Sequence, residues 1–190
     1  KNDAHIETSS TFDINIIEQL YEEGKFEKDN YIICNGFKRP QYIENIINLI
    51  DNGFVNTIPI IDNLGEIDHY EERLTKKCKL GIRIASEEEP RFEFYTSRLG
   101  VRYNDIIPFY EAKIKDNPKF ELTMLHFFIN TGIRDNAYYW NELQKCVNVY
   151  CDLKKICPEL TSLNIGGGFP IKNSLSFNYD YEYMAEEIVS

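Results

Sequence analysis

The sequence has little positive charge and no long apolar run. The 190 residues include 21 lysines and arginines and 31 aspartates and glutamates, which gives a formal net charge of −10. Non-specific nucleic-acid binding and attraction to anionic lipids both depend on clustered basic side chains, so we expect neither partner. No stretch approaches the roughly 20 apolar residues of a membrane-spanning helix, and no basic segment followed by an apolar run marks a signal peptide. We therefore predict a cytoplasmic protein with no membrane partner.

Cysteine is also scarce, and its five copies are scattered along the chain. No CxxC pair occurs among them, which disfavours both a zinc site and thioredoxin-type chemistry. We interpret them as buried or idle thiols in a reducing cytosol, and we predict no bound metal. The cysteines are Cys34, Cys78, Cys146, Cys151 and Cys157.

Short apolar runs alternate with longer amphipathic segments along the whole chain. The runs are rich in β-branched or aromatic residues, as buried parallel strands are. The segments between them carry apolar residues at three- and four-residue spacing, which predicts helices. This alternation predicts an α/β fold with a parallel sheet. The six runs are residues 4–6, 31–34, 57–61, 80–85, 122–129 and 162–165.

Two architectures satisfy this pattern. A doubly wound open sheet fits the length, whereas a closed (β/α)8 barrel typically needs about 250 residues. Six units would then be a barrel without its first and last units, and periodicity alone leaves both architectures open. In both, ligands bind at the carboxyl ends of the parallel strands, so we expect the site in the loops that follow them.

The most informative of these loops is Gly166-Gly167-Gly168-Phe169-Pro170, directly after the sixth predicted strand. Three glycines leave backbone N–H groups uncovered, and no Cβ atom blocks the approach of an anionic group. The pattern is neither GxGxxG nor a P-loop, which disfavours a dinucleotide or a nucleoside triphosphate. We interpret the loop as a phosphate site, with a flexible turn as the alternative.

Several segments, in order along the chain, resemble the fold type III (alanine-racemase-like) pyridoxal-phosphate decarboxylases. This family includes ornithine, diaminopimelate and biosynthetic arginine decarboxylases. The glycine loop resembles the family's phosphate-binding loop, and Glu7-Thr8-Ser9-Ser10 resembles its acidic segment after an early strand. Residues 32–38 are close to the Ile-Cys-Asn-Gly-Tyr-Lys stretch of biosynthetic arginine decarboxylases, and residues 125–132 occupy the place of Leu-His-Phe-His-Leu-Gly-Ser. The resemblance implies a partial (β/α)8 TIM barrel with about six of the eight units.

The resemblance also implies pyridoxal 5′-phosphate as the cofactor. The three loop glycines would donate backbone N–H groups to its phosphate, and Thr131 matches a phosphate-contacting serine. Phe128 stands where the family has a histidine that stacks on the pyridine ring. Glu7 and His126 are the candidate catalytic residues, with a surface carboxylate and a core histidine as the respective alternatives.

The implied activity is decarboxylation of a basic amino acid. L-Arginine going to agmatine and carbon dioxide, at the head of polyamine and spermidine synthesis, is favoured over ornithine or diaminopimelate, and a homodimer or larger homo-oligomer is expected. The family's cofactor-binding lysine would precede Lys1 and its C-terminal β domain would follow Ser190. We therefore expect residues 1–190 to be a single domain, an internal portion of the barrel, inactive alone. A non-catalytic antizyme-inhibitor-like homologue and a general phosphate-binding α/β domain remain alternatives.

Overall fold

The chain builds one parallel sheet whose strands alternate with helices. A computed structural model describes residues 4–86, 99–129, 133, 137–172 and 175–190. Within these ranges the sheet has six strands, each hydrogen-bonded to its neighbours in sequence, and all pairs are parallel. The strands are β1 (Ile6–Thr8), β2 (Ile32–Cys34), β3 (Thr57–Ile61), β4 (Cys78–Arg83), β5 (Phe120–His126) and β6 (Ser162–Asn164).

The helices of the described ranges follow the strands one by one. The fourth continues into a π-helical turn over Tyr110–Ile114. The helices are α1 (Thr11–Glu22), α2 (Pro40–Asp51), α3 (Glu66–Arg73), α4 (Tyr103–Phe109), α5 (Ala137–Lys154) and α6 (Tyr181–Val189). The predicted alternation is therefore confirmed.

Helix α2 shows how local chemistry sets these elements. Pro40 opens it, where a missing N–H costs nothing and the fixed φ suits a helix. Ile43, Ile46 and Ile50 recur at helical spacing and are buried. The helix stops before Gly53, whose φ of +89° is open to glycine and strained for other residues.

Two element boundaries differ from the predicted ones, and a side-chain contact lies at each of them. The first strand runs to Thr8, whose hydroxyl lies 2.7 Å from the Tyr42 hydroxyl inside the core. The apolar spacing over residues 66–77 predicts a helix of that length, but helix α3 ends at Arg73. The following segment turns away, because Thr75 donates a hydrogen bond of 2.8 Å to the carboxylate of Asp51.

The strand order decides between the two architectures. A doubly wound sheet reverses its order at a switch point, whereas here the order runs from β1 to β6 without reversal. The two edge strands also approach each other, since Asn164 Nδ2 on β6 lies 3.3 Å from Glu7 Oε2 on β1. The sheet is therefore curled into a half-barrel, which confirms the partial barrel and excludes the doubly wound alternative.

No helix in the described part of the chain is long and apolar enough to cross a membrane. Four of the cysteines are buried, Cys151 is exposed, and all five are free thiols. Burial raises the pKa of the Cys34 thiol to about 11 and that of Cys146 to about 12. Among the described residues, no three His, Cys, Asp or Glu side chains come together as a metal site would require.

Candidate active site

A cavity of about 440 Å³ lies at the carboxyl ends of the strands, inside the curve of the half-barrel. Residues from β1, β4 and β5 and from the loops after β1, β2, β5 and β6 converge on it. This is the edge at which both candidate architectures place their ligands. The lining residues are Glu7, Thr8, Ser9, Asn35, Gly36, Arg83, His126, Phe128, Gly166 and Gly167.

The alternation of side chains along the strands builds the floor of this cavity. A small apolar cluster lies on the concave face of the sheet and consists of Ile33, Ile58, Ile60 and Met124. Residues two further along a strand share its face, which puts Asn35 above Ile33 and His126 above Met124. The register places Arg83 opposite His126, and the Glu7 carboxylate reaches Asn35 from the position opposite Ile33. Polar groups thus form a layer over an apolar one.

The glycine loop has the geometry of an anion cradle. Gly166 and Gly168 have φ values of +71° and +107°, in the left-handed region that favours glycine. A Cβ atom placed on Gly167 would meet no heavy atom within 4 Å, so the space in front of this residue is open. The Gly166 N–H already donates to Asn164 Oδ1 at 2.8 Å. Among the described residues none accepts from the N–H groups of Gly167 and Gly168, and of these two glycines Gly167 lines the cavity.

Phe128 supplies the aromatic face of the cavity. The Arg83 guanidinium carbon lies 5.5 Å from the centre of the Phe128 ring, a cation–π contact. Ser86 donates a hydrogen bond of 3.1 Å to the Phe128 carbonyl, and the ring borders Gly166. The ring is thus held between an arginine and the glycine loop.

Glu7 is bound by two asparagines from different strands. Asn35 Nδ2 donates to Glu7 Oε1 at 3.0 Å, and Asn164 Nδ2 lies 3.3 Å from Glu7 Oε2. The same Asn35 nitrogen lies 2.9 Å from His126 Nε2. The two predicted catalytic residues are therefore brought together, with Asn35 between them.

His126 is completely buried, although it borders the cavity. Burial lowers its pKa to about 3, and the nearby charges of Arg83 and Lys38 add to the effect. The imidazole is therefore neutral throughout the physiological range. The burial of His126 is what the alternative of a core histidine expects. Its hydrogen bond with Asn35 also connects it to the cavity.

A buried ion cluster consists of Lys38, Asp62 and Glu66 and lies next to the cavity. Lys38 is fully buried, with Nζ 3.1 Å from Glu66 Oε1 and 3.7 Å from Asp62 Oδ2. Lys38 Nζ also donates to the carbonyls of Gly36, at 3.0 Å, and Ile60, at 2.5 Å. Burial raises the pKa values of Asp62 and Glu66, and the charge of Lys38 opposes that rise.

Neither Asp13 nor Thr131 is among the described residues that line the cavity. Asp13 serves the start of helix α1, because its carboxylate accepts from the N–H groups of Ser9 and Ser10 at 2.8 and 2.9 Å. The Ser9 N–H is the main reason that the pKa of Asp13 is lowered. Thr131, the predicted phosphate-contacting hydroxyl, lies outside the described residues.

Sequence reasoning missed Asn35, Asn164, Arg83 and the ion cluster as parts of the site. The signal for three of them was position, since Asn35 and Asp62 directly follow predicted strands and Asn164 is the second-last residue of another. Lys38 and Glu66 had no such signal. Lysine and glutamate are rarely buried, and an isolated one in a sequence looks like a surface residue.

Comparison with known proteins agrees with this geometry. The family model for the pyridoxal-binding domain of pyridoxal-dependent decarboxylases matches residues 7–190. The biosynthetic arginine decarboxylase 2 of Synechocystis sp. is 28% identical over 176 residues, 84% of this chain and 27% of the relative. The chain thus spans about a quarter of the length of that relative.

Solved structures of the same class share the fold. The diaminopimelate decarboxylase from M. jannaschi superposes with a TM-score of 0.78 at 16% identity, covering 98% of this chain and 44% of that one. The lysine decarboxylase from Selenomonas ruminantium superposes with a TM-score of 0.75 at 19% identity, covering 97% and 45%. The half-barrel is therefore of the alanine-racemase-like type.

The described residues fit pyridoxal phosphate. The open space before Gly167 suits a phosphate, and the Phe128 ring offers an aromatic surface at the same cavity. With the glycine loop, the fold and the family model in agreement, the chain belongs to the pyridoxal-dependent decarboxylases, whose cofactor is pyridoxal phosphate.

Proposed function

We propose that this protein decarboxylates a basic amino acid, with L-arginine as the first choice of substrate and agmatine as the product, in polyamine synthesis. The observation that carries the proposal is the single cavity that joins the glycine loop, the Phe128 ring and the Glu7 carboxylate. When bound, pyridoxal phosphate supplies an electron sink for the electron pair left by the departing carbon dioxide. The chain's own residues bind the cofactor and orient the groups around it.

Each lining group has a proposed task. The N–H groups of the glycine loop hold the phosphate, together with the hydroxyl of Thr131. Phe128 packs against the ring by dispersion and quadrupole interactions. Glu7, exposed at the cavity and fixed by two asparagines, offers a carboxylate to a cationic group beside the ring. His126 acts at the same site as a neutral group.

Arginine is favoured by the curated relatives, which are named biosynthetic arginine decarboxylases at 24–28% identity. Lysine and diaminopimelate are the alternatives, since proteins with those activities share the fold.

Two measurements on wild-type protein test this function. Titration of the 190-residue chain with pyridoxal phosphate, followed by absorbance, is expected to show saturable binding to one site. The complete reading frame that encodes the chain is then assayed for carbon dioxide release from arginine, ornithine, lysine and diaminopimelate. Release from arginine above the others is expected. Release from another of the four would overturn the substrate, and no release from any would overturn the activity.

A non-catalytic homologue is the second candidate, and Phe128 is the observation that favours it. A phenyl ring has no proton to donate or accept where the family's histidine has one. If this candidate is right, the complete reading frame binds pyridoxal phosphate weakly or not at all and releases no carbon dioxide.

Replacing Phe128 by alanine is expected to weaken pyridoxal phosphate binding about two- to tenfold, since an aromatic contact contributes roughly 0.5–1.5 kcal/mol. Phe128→His should restore the affinity of the wild type to within about threefold, because the imidazole still presents a ring face. The dissociation constant from the absorbance titration measures both.

Phe169→Ala is the matched control for this prediction. Phe169 follows the same glycine loop but does not line the cavity. Its removal should leave the dissociation constant unchanged. Equal binding by the wild type and Phe128→Ala would show that the ring does not contact the cofactor.

A further inference from the structure

We infer that Asn35 is the positioning residue of this site: its one amide group orients the Glu7 carboxylate and holds His126 as a neutral imidazole with its ring proton on Nδ1. The orientation of His126 and Glu7 is a property of the chain itself. The benefit to cofactor binding rests on the proposed function.

The hydrogen bonds of Asn35 account for its whole amide group. The oxygen, Oδ1, accepts the N–H of Gly36 at 2.8 Å. The nitrogen, Nδ2, has two protons, and it has two neighbours at bonding distance, Glu7 Oε1 at 3.0 Å and His126 Nε2 at 2.9 Å. Each proton therefore has one acceptor.

The opposite orientation of the amide is excluded by its surroundings. Rotating it by 180° would place an NH2 group against the Gly36 N–H, donor against donor. It would also place the amide oxygen against the Glu7 carboxylate, acceptor against acceptor. Gly36 has a φ of +77°, so the turn that aims its N–H at Asn35 is one that favours glycine.

The tautomer of His126 follows from this orientation. An amide nitrogen only donates, so His126 Nε2 must accept, and the ring proton of the neutral imidazole must be on Nδ1. Nδ1 is buried and has no hydrogen-bond partner among the described residues. The charges that face the ring, Arg83 and Lys38, are both positive and keep it neutral.

Asn164 provides an internal comparison, because it holds the other oxygen of Glu7 without touching His126. Its Nδ2 lies 3.3 Å from Glu7 Oε2, and its Oδ1 accepts the Gly166 N–H at 2.8 Å. Removing Asn164 frees one oxygen of Glu7 and the Gly166 N–H but leaves the contact of His126 in place, whereas removing Asn35 affects both Glu7 and His126. The two asparagines can therefore be separated experimentally.

The test uses nitrogen-15 NMR of the histidine side chains in the ligand-free chain. The sequence has three histidines, so the spectrum contains three imidazole patterns. The pattern that disappears in His126→Gln belongs to His126. His5 is a useful reference, since its Nδ1 accepts the Tyr31 N–H at 3.1 Å and its proton must be on Nε2. We expect His126 to show the opposite tautomer, with the proton on Nδ1, at pH 7.

Three variants distinguish a positioning residue from a merely structural one. Asn35→Asp keeps an acceptor for Gly36 but cannot donate, so the ring proton should move to Nε2 to face the new carboxylate. Asn35→Leu should leave a mixture of the two tautomers, and Asn164→Leu should leave the wild-type tautomer. Asn35→Leu should also weaken pyridoxal phosphate binding about tenfold, the effect of losing a hydrogen bond to a charged group.

The wild-type spectrum decides the inference even if a variant fails to fold. A ring proton on Nε2 of His126 in the wild type would overturn it, and so would an Nδ1 proton that persists unchanged in a folded Asn35→Asp variant. The tautomer is read without ligand. If the tautomer shifts as expected but the wild type does not bind pyridoxal phosphate, the proposed function fails and the role of Asn35 stands.

Discussion

Replacing Lys38 by methionine is expected to lower the free energy of unfolding by about 3–5 kcal/mol, the usual result of removing one partner from a buried ion pair. Lys38 is fully buried, and its side chain is surrounded by the carboxylates of Asp62 and Glu66 and by two backbone carbonyls. Methionine fills a similar volume but leaves the buried Glu66 carboxylate without its cation, and it leaves Asp62 with only Arg83, whose guanidinium lies 3.8 Å away. Denaturant unfolding at pH 7 measures the loss.

The pH dependence of this loss has a definite sign. Burial already raises the pKa values of Asp62 and Glu66 in the folded protein, and Lys38 opposes the rise. Without Lys38 both pKa values rise further, so the folded variant binds protons that its unfolded state does not. The difference from the wild type should therefore shrink as the pH falls from 7 toward about 4, where the unfolded carboxyls titrate.

Two further variants test whether the loss of stability comes from the burial of the charges. Lys113→Met breaks a pair with Asp68 of 3.0 Å in which both side chains are about half exposed, and it should cost less than about 1 kcal/mol. A triple variant, Lys38→Met with Asp62→Asn and Glu66→Gln, removes all three charges and should recover part of the loss. An equal effect of Lys38→Met and Lys113→Met would show that the cluster does not stabilise the fold.

Replacing Gly166 by alanine is expected to reduce pyridoxal phosphate affinity by about 100-fold, roughly 2.8 kcal/mol. The φ of +71° is strained for alanine. A Cβ atom here would lie 2.8 Å from the Phe127 carbonyl oxygen and 3.2 Å from Cδ2 of Phe128. Relief of these contacts must move the loop or the Phe128 ring, and the proposed site needs both in place. Titration with pyridoxal phosphate measures the change.

Two other glycine variants distinguish backbone strain from damage to the proposed phosphate site. Gly53→Ala introduces alanine at a φ of +89° with no neighbour within 4 Å, at the end of α2 and outside the cavity lining. It should cost about 1–2 kcal/mol of stability and leave the affinity unchanged. Gly167→Ala has open space, so it should fold normally and lose affinity only because its methyl group occupies the phosphate's place. Unchanged affinity in Gly166→Ala would contradict the assignment of the loop.

The sequence by itself determined the secondary-structure elements and the position of the glycine loop after the sixth strand. Strands and helices are visible in it because apolar periodicity is a local property, read over a few residues at a time. The residues Asp51-Asn52-Gly53 predict the end of a helix, and helix α2 does end at Asp51. The three loop glycines indicate an open backbone wherever they lie in space. The resemblance alone singled out Phe128 as a cofactor-binding candidate, and the structure places its ring beside Gly166.

Only the tertiary structure decided how the site is held together. Asn164 and Glu7 are 157 residues apart, and nothing in either segment indicates that the curl of the sheet brings them to 3.3 Å. The same holds for Asn35 and His126, 91 residues apart. Local patterns record which residues share a face, whereas the contacts across a barrel depend on strand order, register and curvature together.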